Sequence, residues 1–448
     1  MSSVIYPVTN LKSVEQINIV RGKGVYVYDD AGNQYLEGLS GLWCSALGYG
    51  NEELIEAISS QLHTLSYSHL FGGRTHPAVM ELSDRLAAMV PVKDAKIFFS
   101  NSGSEANDSQ IKMLRYYANA IGKPEKKKII ALDRGYHGVT VAAAALTGLP
   151  VMHSHFDLPV DALGILRADC PHYFRGRVGA ETEEEFVARL LTNLQQLIHD
   201  EGAETIAAFI AEPLMGAGGV IVSPEGYLPQ VQALLNEHGI FLWADEVICG
   251  FGRTGNDFGS TTMGIQPDIM SLAKQLSSAY VPISAAVIPG AMYEAMIEQS
   301  AEVGVFGHGY TYTGHPVACA AALKALEIYE RDELFARAAK QGAYMQSRLQ
   351  EFAGHELVGE VRGKGLIGAI ELVANKGTGQ AFADGRVGAF AQRACQDEGL
   401  LLRAVAGNSV AFCPPLIIEE AQIDEMIEKF ASALDASYEF AKKEKLIT

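Results

Sequence analysis

The hydrophobic positions of this chain fall into short apolar runs that barely alternate with polar residues. The runs are rich in Ile, Val and Phe, and glycines often follow them. Strands that are buried on both faces have this pattern, whereas a strand with one face in water alternates between apolar and polar residues. The pattern therefore predicts a largely parallel sheet built from six runs, at 96–99, 129–132, 206–211, 240–244, 269–272 and 285–288.

Between these runs, apolar residues recur three or four positions apart, which predicts helices that cover the sheet. One helix should begin near Ser104 and continue to about Ile121, and others should cover 190–198 and 320–329. Strands that alternate with helices are typical of an α/β domain.

We predict a large α/β domain over 60–315 and a smaller α+β domain to which both chain ends, 1–59 and 316–448, contribute. The first end contains a hairpin signal at 25–36, where two apolar runs flank the turn residues Asp-Ala-Gly-Asn. The second end contains two short strand candidates, at 366–371 and 410–414.

The composition excludes several classes of function. Acidic residues outnumber basic ones by 53 to 35, and the formal net charge is −18. Such a chain lacks the positive surface that binds a nucleic acid backbone. The six cysteines form no C-x-x-C pair, and no second pair of metal ligands accompanies Cys170 and His172. We therefore expect reduced thiols and no metal site.

The sequence shows no sign of a membrane or secretory protein. It contains no stretch of eighteen apolar residues, and its first residues, MSSVIYPVTNLK, lack the basic start and the apolar centre of a signal peptide. We expect a cytoplasmic protein without a membrane partner.

Candidate chemistry lies where the predicted strands end, because ligands of open α/β sheets bind outside the carboxyl ends of the strands. After the first run, Ser102, Gly103 and Ser104 open a helix and can present hydroxyl and N–H groups to a phosphate, although a serine-rich helix cap has the same pattern. After the second run, Tyr136 lies between glycines and can stack on a planar ring, or it is a packed tyrosine in a turn.

Two ionisable residues follow later strands. Asp245 comes directly after a buried run, where a carboxylate is costly unless it meets a cation such as a protonated pyridine nitrogen; the alternative is a cap of the next turn. Lys274 follows the next run and can lose its proton through burial and act as an amine nucleophile, although most lysines after strands are solvated. Together the four positions supply the contacts that a pyridoxal phosphate site needs.

The most specific motif of the chain is the run Asp245-Glu246-Val247-Ile248-Cys249-Gly250-Phe251-Gly252-Arg253-Thr254-Gly255. With it go Gly41-Leu42-Trp43-Cys44, Asn101-Ser102-Gly103-Ser104-Glu105-Ala106-Asn107, Gly135-Tyr136-His137-Gly138, Glu212-Pro213, Lys274 and Tyr310-Thr311-Tyr312-Thr313-Gly314-His315-Pro316. In these motifs the chain resembles class III aminotransferases over essentially its whole length, and it is most similar to the pyruvate-dependent ω-amine transaminases. The resemblance implies fold type I of the pyridoxal-phosphate enzymes, pyridoxal 5'-phosphate as the cofactor, and a homodimer with shared active sites.

The resemblance also implies roles for single residues. Lys274 is expected to bond covalently to the cofactor, Asp245 to pair with its ring nitrogen, and Thr311 to reach the phosphate in the partner subunit's site. Glu212 is expected to orient the cofactor's surroundings, with a structural role as the alternative. The remaining expected contacts are the phosphate contacts Ser102, Gly103 and Ser104, the ring contacts Tyr136, His137 and Val247, and the substrate-pocket walls Trp43, Phe71 and Tyr136, where Trp43 is alternatively a core residue.

Two positions, Ala217 and Arg403, bear on the substrate. Relatives that act on ornithine or γ-aminobutyrate carry Glu-Pro-x-x-Gly-Glu, in which the last glutamate gates an active-site arginine, whereas this chain has Ala217 there. Met215 replaces a glutamine that is common in the family, and we have no functional account of that change. Arg403 follows an apolar run at the spacing where ω-transaminases carry a mobile substrate arginine, with a surface arginine of the small domain as the alternative.

We therefore expect an aminotransferase that moves the amino group of a primary amine (an ω-amine, a diamine, a polyamine or similar) to a keto acid, with pyruvate as the expected acceptor. Isomerases, racemases and decarboxylases that use the same cofactor on the same fold are the alternative enzymes. A catalytically inactive binding or structural protein is the alternative outside enzymes.

Overall fold

The strands of the computed structural model follow the apolar runs of the sequence. The structure describes residues 3–14 and 16–447, so residues 1, 2, 15 and 448 of the predicted domains lie outside it. The strands are β1 (Ile19–Lys23), β2 (Tyr26–Asp29), β3 (Gln34–Glu37), β4 (Lys96–Ser100), β5 (Lys128–Leu132), β6 (Ile165–Ala168), β7 (Ile206–Ala211), β8 (Phe241–Asp245), β9 (Ile269–Leu272), β10 (Ser284–Ile288), β11 (Val358–Lys364), β12 (Ile367–Leu372), β13 (Leu400–Leu401), β14 (Arg403–Val405) and β15 (Ser409–Phe412).

The helices fill the intervals between these strands. They are α1 (Ser40–Trp43), α2 (Glu52–Thr64), α3 (Pro77–Met89), α4 (Gly103–Ala120), α5 (Val141–Leu146), α6 (Tyr173–Gly176), α7 (Glu183–Glu201), α8 (Tyr227–Glu237), α9 (Gly259–Met263), α10 (Gly290–Val303), α11 (Pro316–Arg331), α12 (Leu334–Gln350), α13 (Arg386–Asp397) and α14 (Glu420–Lys443). Short 3₁₀ turns lie at Phe71–Gly73, Pro150–Met152, Ala203–Thr205, Lys274–Ser277 and Glu351–Gly354. Among the residues that the structure describes, no helix combines the length and apolar character needed to cross a membrane.

All six predicted runs form strands of one seven-stranded sheet, in the order β4-β10-β9-β8-β7-β5-β6. β10 is antiparallel to both of its neighbours, and the pairs from β9 to β6 are all parallel. Every residue of β7, β9 and β10 is buried, because helices cover both faces of the sheet. The prediction of a largely parallel, doubly covered sheet is confirmed.

The seventh strand, β6, was not predicted. Its sequence, Ile-Leu-Arg-Ala, is short and contains Arg167 in place of a third apolar residue. The Arg167 guanidinium donates to the carbonyls of Ala145, Leu146 and Thr147 at the end of α5. A charged residue can therefore lie in this edge strand, because carbonyl oxygens satisfy its donors.

Two smaller sheets complete the fold, in the orders β1-β2-β3-β13 and β11-β12-β15-β14. β13 pairs in parallel with β3, with Leu400 opposite Leu36, so a strand from the second half of the chain joins the predicted N-terminal hairpin. The predicted strands at 366–371 and 410–414 correspond to β12 and β15. The domain boundaries near residues 59 and 315 stay predictions.

The topology brings several chain segments to one edge of the large sheet. β8 ends at Asp245, and β9 ends two residues before Lys274. The turns after β4, β5 and β7 carry Ser102, Tyr136 and Glu212. Because the carboxyl ends of parallel strands share one edge, these residues meet there.

Candidate active site

A cavity of about 590 Å³ opens at this edge of the sheet. Eleven of the thirteen residues expected from the sequence line it: Trp43, Ser102, Gly103, Ser104, Tyr136, His137, Glu212, Asp245, Val247, Lys274 and Arg403. Phe71 and Thr311 do not line the cavity of their own chain. The fold therefore gathers motifs that lie as far apart in sequence as residues 43 and 403.

One end of the cavity is the N-terminus of α4. Ser102 caps this helix and accepts a hydrogen bond from the N–H of Glu105 at 3.2 Å. The Glu105 carboxylate accepts from the N–H of Asn101 at 2.7 Å, so the first turn is held from both sides. The N–H groups of the first helical residues, Gly103 and Ser104, point along the helix axis toward the cavity, where they and the helix dipole favour an anion.

Beside the helix start, Val247 and Tyr136 both line the cavity, and we call this part of the cavity the slot. A Cβ atom added to Gly103 would lie 3.1 Å from both methyl carbons of Val247. Glycine at 103 therefore lets Val247 approach the start of α4. Tyr136, on the turn after β5, is held by its N–H, which donates to Glu212 Oε1 at 2.9 Å. The slot between Val247 and Tyr136 suits a flat ring.

Asp245 is buried at the far end of the slot. Its Oδ2 accepts from His137 Nδ1 at 2.8 Å and from Asn107 Nδ2 at 3.0 Å, while its Oδ1 accepts from the N–H of Val247 at 3.2 Å. Within the described part of the chain no arginine or lysine pairs directly with this carboxylate. The site thus holds a buried acid whose direct side-chain partners among the described residues are His137 and Asn107.

Lys274 follows β9 in a left-handed backbone conformation, with φ of 50°. Burial lowers the pKa of its amine, and the charges of Asp245, Cys44 and Glu212 partly oppose the fall. Left-handed backbone is uncommon outside glycine and costs of order 1 kcal/mol, so the surrounding fold imposes the conformation. A buried lysine of lowered pKa is a nucleophile and a proton acceptor.

Glu212 and Arg403 form other walls of the cavity. Burial raises the pKa of Glu212 to about 7. His137 acts to lower this pKa, and the negative charge of Asp245 raises it further. Arg403 lies in β14, and burial lowers the pKa of its guanidinium. Among residues 3–14 and 16–447, none forms a hydrogen bond or an ion pair with the Arg403 side chain. Its positive charge opposes the burial-driven rise in the pKa of the Tyr136 phenol, which places the two side chains near each other.

Trp43 lies on the cavity wall with only 2% of its surface exposed, so both expectations for this residue, pocket wall and core residue, describe its position. Ala217 also lines the cavity. Met215 is buried and exchanges two backbone hydrogen bonds with Ile221, which gives it a place in the loop rather than in the cavity.

Phe71 and Thr311 are both exposed on the surface. Phe71 is 53% exposed, and a Cβ added to Gly309 would touch its ring at 3.2 Å. The Tyr67 hydroxyl donates to the carbonyl oxygen of Thr311 at 2.9 Å. Tyr312 is exposed beside them. The structure thus leaves both remaining site residues exposed, with Phe71 beside Gly309 and Thr311 bonded to Tyr67.

Two groups of functional interest were not predicted. Asn107 lies within one of the family motifs, but no pattern in the sequence shows that its side chain bonds to Asp245. His172, Glu360 and Glu371 are close enough to share a metal ion. However, Arg362 pairs with both glutamates and Arg175 pairs with Glu371, so this group is an ion-pair network.

The cavity fits pyridoxal phosphate. The start of α4 suits its phosphate, the slot suits its ring, Asp245 suits a protonated ring nitrogen, and Lys274 suits its aldehyde. His137 Nε2 and Asn107 Oδ1 are buried polar atoms of this cavity that have no partner among the described residues. Buried atoms of this kind are usually satisfied by a bound molecule or water.

The model of the class III aminotransferase family matches residues 8–434. The chain belongs to this family. Class III aminotransferases depend on pyridoxal phosphate, in agreement with the donor set of the cavity. A curated member, gamma-aminobutyrate transaminase 1 of rice (Oryza sativa subsp. japonica), a mitochondrial protein, is 47% identical over 428 residues, which cover 95% of this chain and 82% of that protein.

Solved structures of transaminases superpose closely on this chain. The omega transaminase of Pseudomonas jessenii in complex with PMP has a TM-score of 0.95 at 49% identity, covering 98% of this chain and 97% of that one. A structure described as a transaminase with L-Ala has a TM-score of 0.92 at 49% identity, covering 95% and 100%. The fold is therefore fold type I of the pyridoxal-phosphate enzymes, as the sequence predicted.

Proposed function

We propose that this aminotransferase moves the amino group of a primary ω-amine to pyruvate and forms L-alanine. The observation that carries the proposal is that Arg403, without a partner among the described residues, lines the same cavity as the buried Lys274 amine. The resemblance to a transaminase with L-Ala supports the acceptor, because L-alanine is the aminated form of pyruvate.

When bound, pyridoxal phosphate supplies an aldehyde that takes up the amino group and a ring that accepts the electrons left when the α-proton departs. The proposed role of Lys274 is to hold the cofactor covalently between turnovers and then to move that proton at Nζ. Burial favours this role, because a lysine of lowered pKa is more readily neutral and can accept a proton.

The other cavity residues are proposed to position and polarise. Asp245 keeps a positive ring nitrogen protonated by charge, and His137 and Asn107 hold its other oxygen. Tyr136 and Val247 confine the ring, while Ser102, Gly103 and Ser104 receive the phosphate. Glu212 orients the turn that carries Tyr136 through the Tyr136 N–H.

Arg403 is proposed to recognise the carboxylate of the keto acid. One pocket must admit an apolar amine in one half-reaction and a carboxylate in the other, and a guanidinium that swings in and out resolves this conflict. No glutamate stands at 217 to hold the arginine, because that position is alanine. Trp43 and Phe71 are proposed as the apolar walls, with Phe71 acting in the partner subunit's site.

The functional unit is proposed to be a homodimer with shared sites. Thr311 and Phe71 face outward from their own chain beside the exposed Tyr67 and Tyr312. Clustered exposed aromatic residues mark protein interaction surfaces. In a dimer formed through this surface, Thr311 of one subunit would contact the phosphate bound in the site of the other subunit.

A second donor has specific support. The curated relatives at 45–47% identity are gamma-aminobutyrate transaminases, so γ-aminobutyrate is the alternative amine. These relatives are described as mitochondrial or chloroplastic, and the cytoplasmic location of this chain stays a prediction.

A donor panel tests the proposal. Purified protein loaded with pyridoxal phosphate is given an aromatic amine, a diamine, β-alanine or γ-aminobutyrate, each with pyruvate or with 2-oxoglutarate, and the amino acid formed is measured. Alanine from pyruvate with an ω-amine is the expected result. Glutamate formed in preference to alanine would overturn the acceptor, and product formed without any keto acid would favour an isomerase, racemase or decarboxylase.

A further inference from the structure

Asn107 lies in the second turn of α4 and is 1% exposed. Its Nδ2 donates to the carbonyl oxygen of His137 at 2.6 Å and to Asp245 Oδ2 at 3.0 Å. One side chain thus joins the helix that begins at the phosphate end, the turn that carries Tyr136 and the buried acid at the far end of the slot.

The chemistry of the two partners determines which way the amide points. Both are acceptors, so turning the amide over would bring Oδ1 against a carbonyl oxygen and a carboxylate oxygen. In the observed orientation, Oδ1 is buried and has no partner among the described residues. Asn107 therefore functions at this point as a donor only.

The consequence falls on Asp245. Its Oδ2 receives two side-chain donors, Asn107 at 3.0 Å and His137 at 2.8 Å, whereas the one donor to Oδ1 among the described residues is the Val247 N–H at 3.2 Å. Two donors that converge on one oxygen from different chain segments fix the plane of the carboxylate. Oδ1 is then the oxygen that can face a ring nitrogen in the slot.

We propose that Asn107 is a positioning residue that sets the direction and strength with which Asp245 holds the proton on the cofactor's ring nitrogen. The inference rests on the proposed role of Asp245. Its physical basis is that a hydrogen bond to an ionised group is stronger than one between neutral groups and prefers a defined direction. Loss of the Asn107 donor removes one of the two side-chain hydrogen bonds to Oδ2. The carboxylate can then rotate, and Oδ2 can accept a hydrogen bond from another donor.

The chain offers a matched control in Gln110, one turn further along α4. Gln110 is fully buried, and its amide also donates to two acceptors, the carbonyl oxygens of Met270 and Val287, each at 2.9 Å. It makes no contact with Asp245. Gln110→Leu therefore removes the same kind of bond from the same helix without touching the acid.

The experiment measures the protonation of the ring nitrogen directly. Wild type, Asn107→Leu, Asn107→Asp, Gln110→Leu and Asp245→Asn are loaded with ¹⁵N-labelled pyridoxal phosphate, and the ring ¹⁵N chemical shift is followed between about pH 6 and pH 9. In wild type and Gln110→Leu we expect the shift of a protonated nitrogen throughout. In Asn107→Leu we expect the ring nitrogen to lose its proton between about pH 6 and pH 9, which the ¹⁵N chemical shift would show.

The aspartate variant separates positioning from simple damage. Two carboxyl groups about 3 Å apart share one proton, so the pair in Asn107→Asp carries the same single negative charge as Asp245 in wild type and retains a donor, and its ring nitrogen should stay protonated. Single-turnover amine deamination should fall roughly 10- to 100-fold in Asn107→Leu, the order expected for loss of a hydrogen bond to a charged group.

The outcomes distinguish the proposed role of Asp245 from that of Asn107. A ring nitrogen that stays protonated in Asp245→Asn would overturn the proposed role of Asp245. Deprotonation in Asp245→Asn together with an unchanged nitrogen in Asn107→Leu would overturn the role of Asn107 alone. Equal loss of the proton in Asn107→Leu and Gln110→Leu would also overturn it, because that result would mean general loosening of α4.

Discussion

His172 Nε2 lies 2.8 Å from Glu360 Oε2, and this contact ties the segment after β6 to strand β11. It belongs to the ion-pair network that also contains Arg134, Arg175, Arg362 and Glu371. Arg362 is the centre of this network: it pairs with both glutamates and donates to the carbonyl oxygen of Gly219, two residues from Ala217 in the cavity wall. The network therefore links the large sheet, the β11–β12 hairpin and the wall of the cavity.

Replacing Arg362 by methionine should destabilise the protein by roughly 3–5 kcal/mol, because it removes the cation shared by the buried Glu371 and the partly buried Glu360. Arg386→Met is the control, since Arg386 pairs with Asp384 where both side chains are about half exposed, and such pairs contribute about 1 kcal/mol or less. Melting temperatures of the two variants at equal cofactor saturation compare the effects. Equal shifts would mean that the network does not stabilise the fold.

Lys274→Ala should bind pyridoxal phosphate without a covalent bond and should lose at least roughly 10²- to 10⁴-fold in turnover, the range that a positioned general acid or base contributes. Borohydride reduction followed by peptide mass spectrometry should find the cofactor on residue 274 in wild type and not in the variant. Lys96→Ala, at the exposed start of β4, is the control. A cofactor adduct on another lysine of wild type would assign the role elsewhere.

Asp245→Asn should lower activity by at least about 10²-fold, or ~3 kcal/mol of barrier. The two donors on Oδ2, His137 and Asn107, oblige an asparagine to turn its oxygen toward them. The NH₂ group of the asparagine would then face the ring nitrogen. Because this group is a hydrogen-bond donor, it cannot stabilise a protonated ring nitrogen, which is also a donor. Single-turnover rates of amine deamination check the loss, and a variant within threefold of wild type would show that Asp245 only caps a turn.

Arg403→Ala should separate the two half-reactions. The amine half-reaction should stay nearly intact, because Arg403 has no partner among the described residues that its loss would leave unpaired. The pyruvate concentration needed for half-maximal rate should rise by a factor of about 10 to 10³, the range for losing a charge-assisted pair in a partly buried site. Stopped-flow measurement of each half separates them, and equal losses in both halves would contradict the role in carboxylate recognition.

Mixed dimers should reveal a shared site. Lys274→Ala has no catalytic amine, and Thr311→Asp brings a carboxylate to the position expected to meet the partner's phosphate. In a heterodimer of the two variants, one site combines an intact Lys274 with an intact Thr311 from the other chain, so activity should reappear on mixing. If Thr311 served its own chain's site, a verified heterodimer would have no intact site and would stay inactive.

Much of the site could be read from the sequence because catalytic residues of a parallel sheet lie where strands end. Apolar runs predict buried strands, so a polar residue near the end of such a run is easily recognised in the sequence, as Asp245 and Lys274 are. The family motifs then assigned roles to their neighbours. β6 was not predicted, because Arg167 interrupts its apolar run. The carbonyl oxygens at the end of α5, which accept hydrogen bonds from Arg167, lie outside this local pattern.

The sequence by itself determined which segments become strands, that the sheet is mostly parallel, and which side chains reach its carboxyl edge, because these properties follow from local patterns of burial. Only the tertiary structure decided which polar atoms meet. Asn107 and Asp245 are 138 positions apart, and Arg362 reaches Gly219 across 143 positions. Such contacts depend on the order of the strands and the path of the crossovers, and no local pattern of residues encodes that geometry. For the same reason, only the tertiary structure shows that Phe71 and Thr311 lie outside the cavity of their own chain.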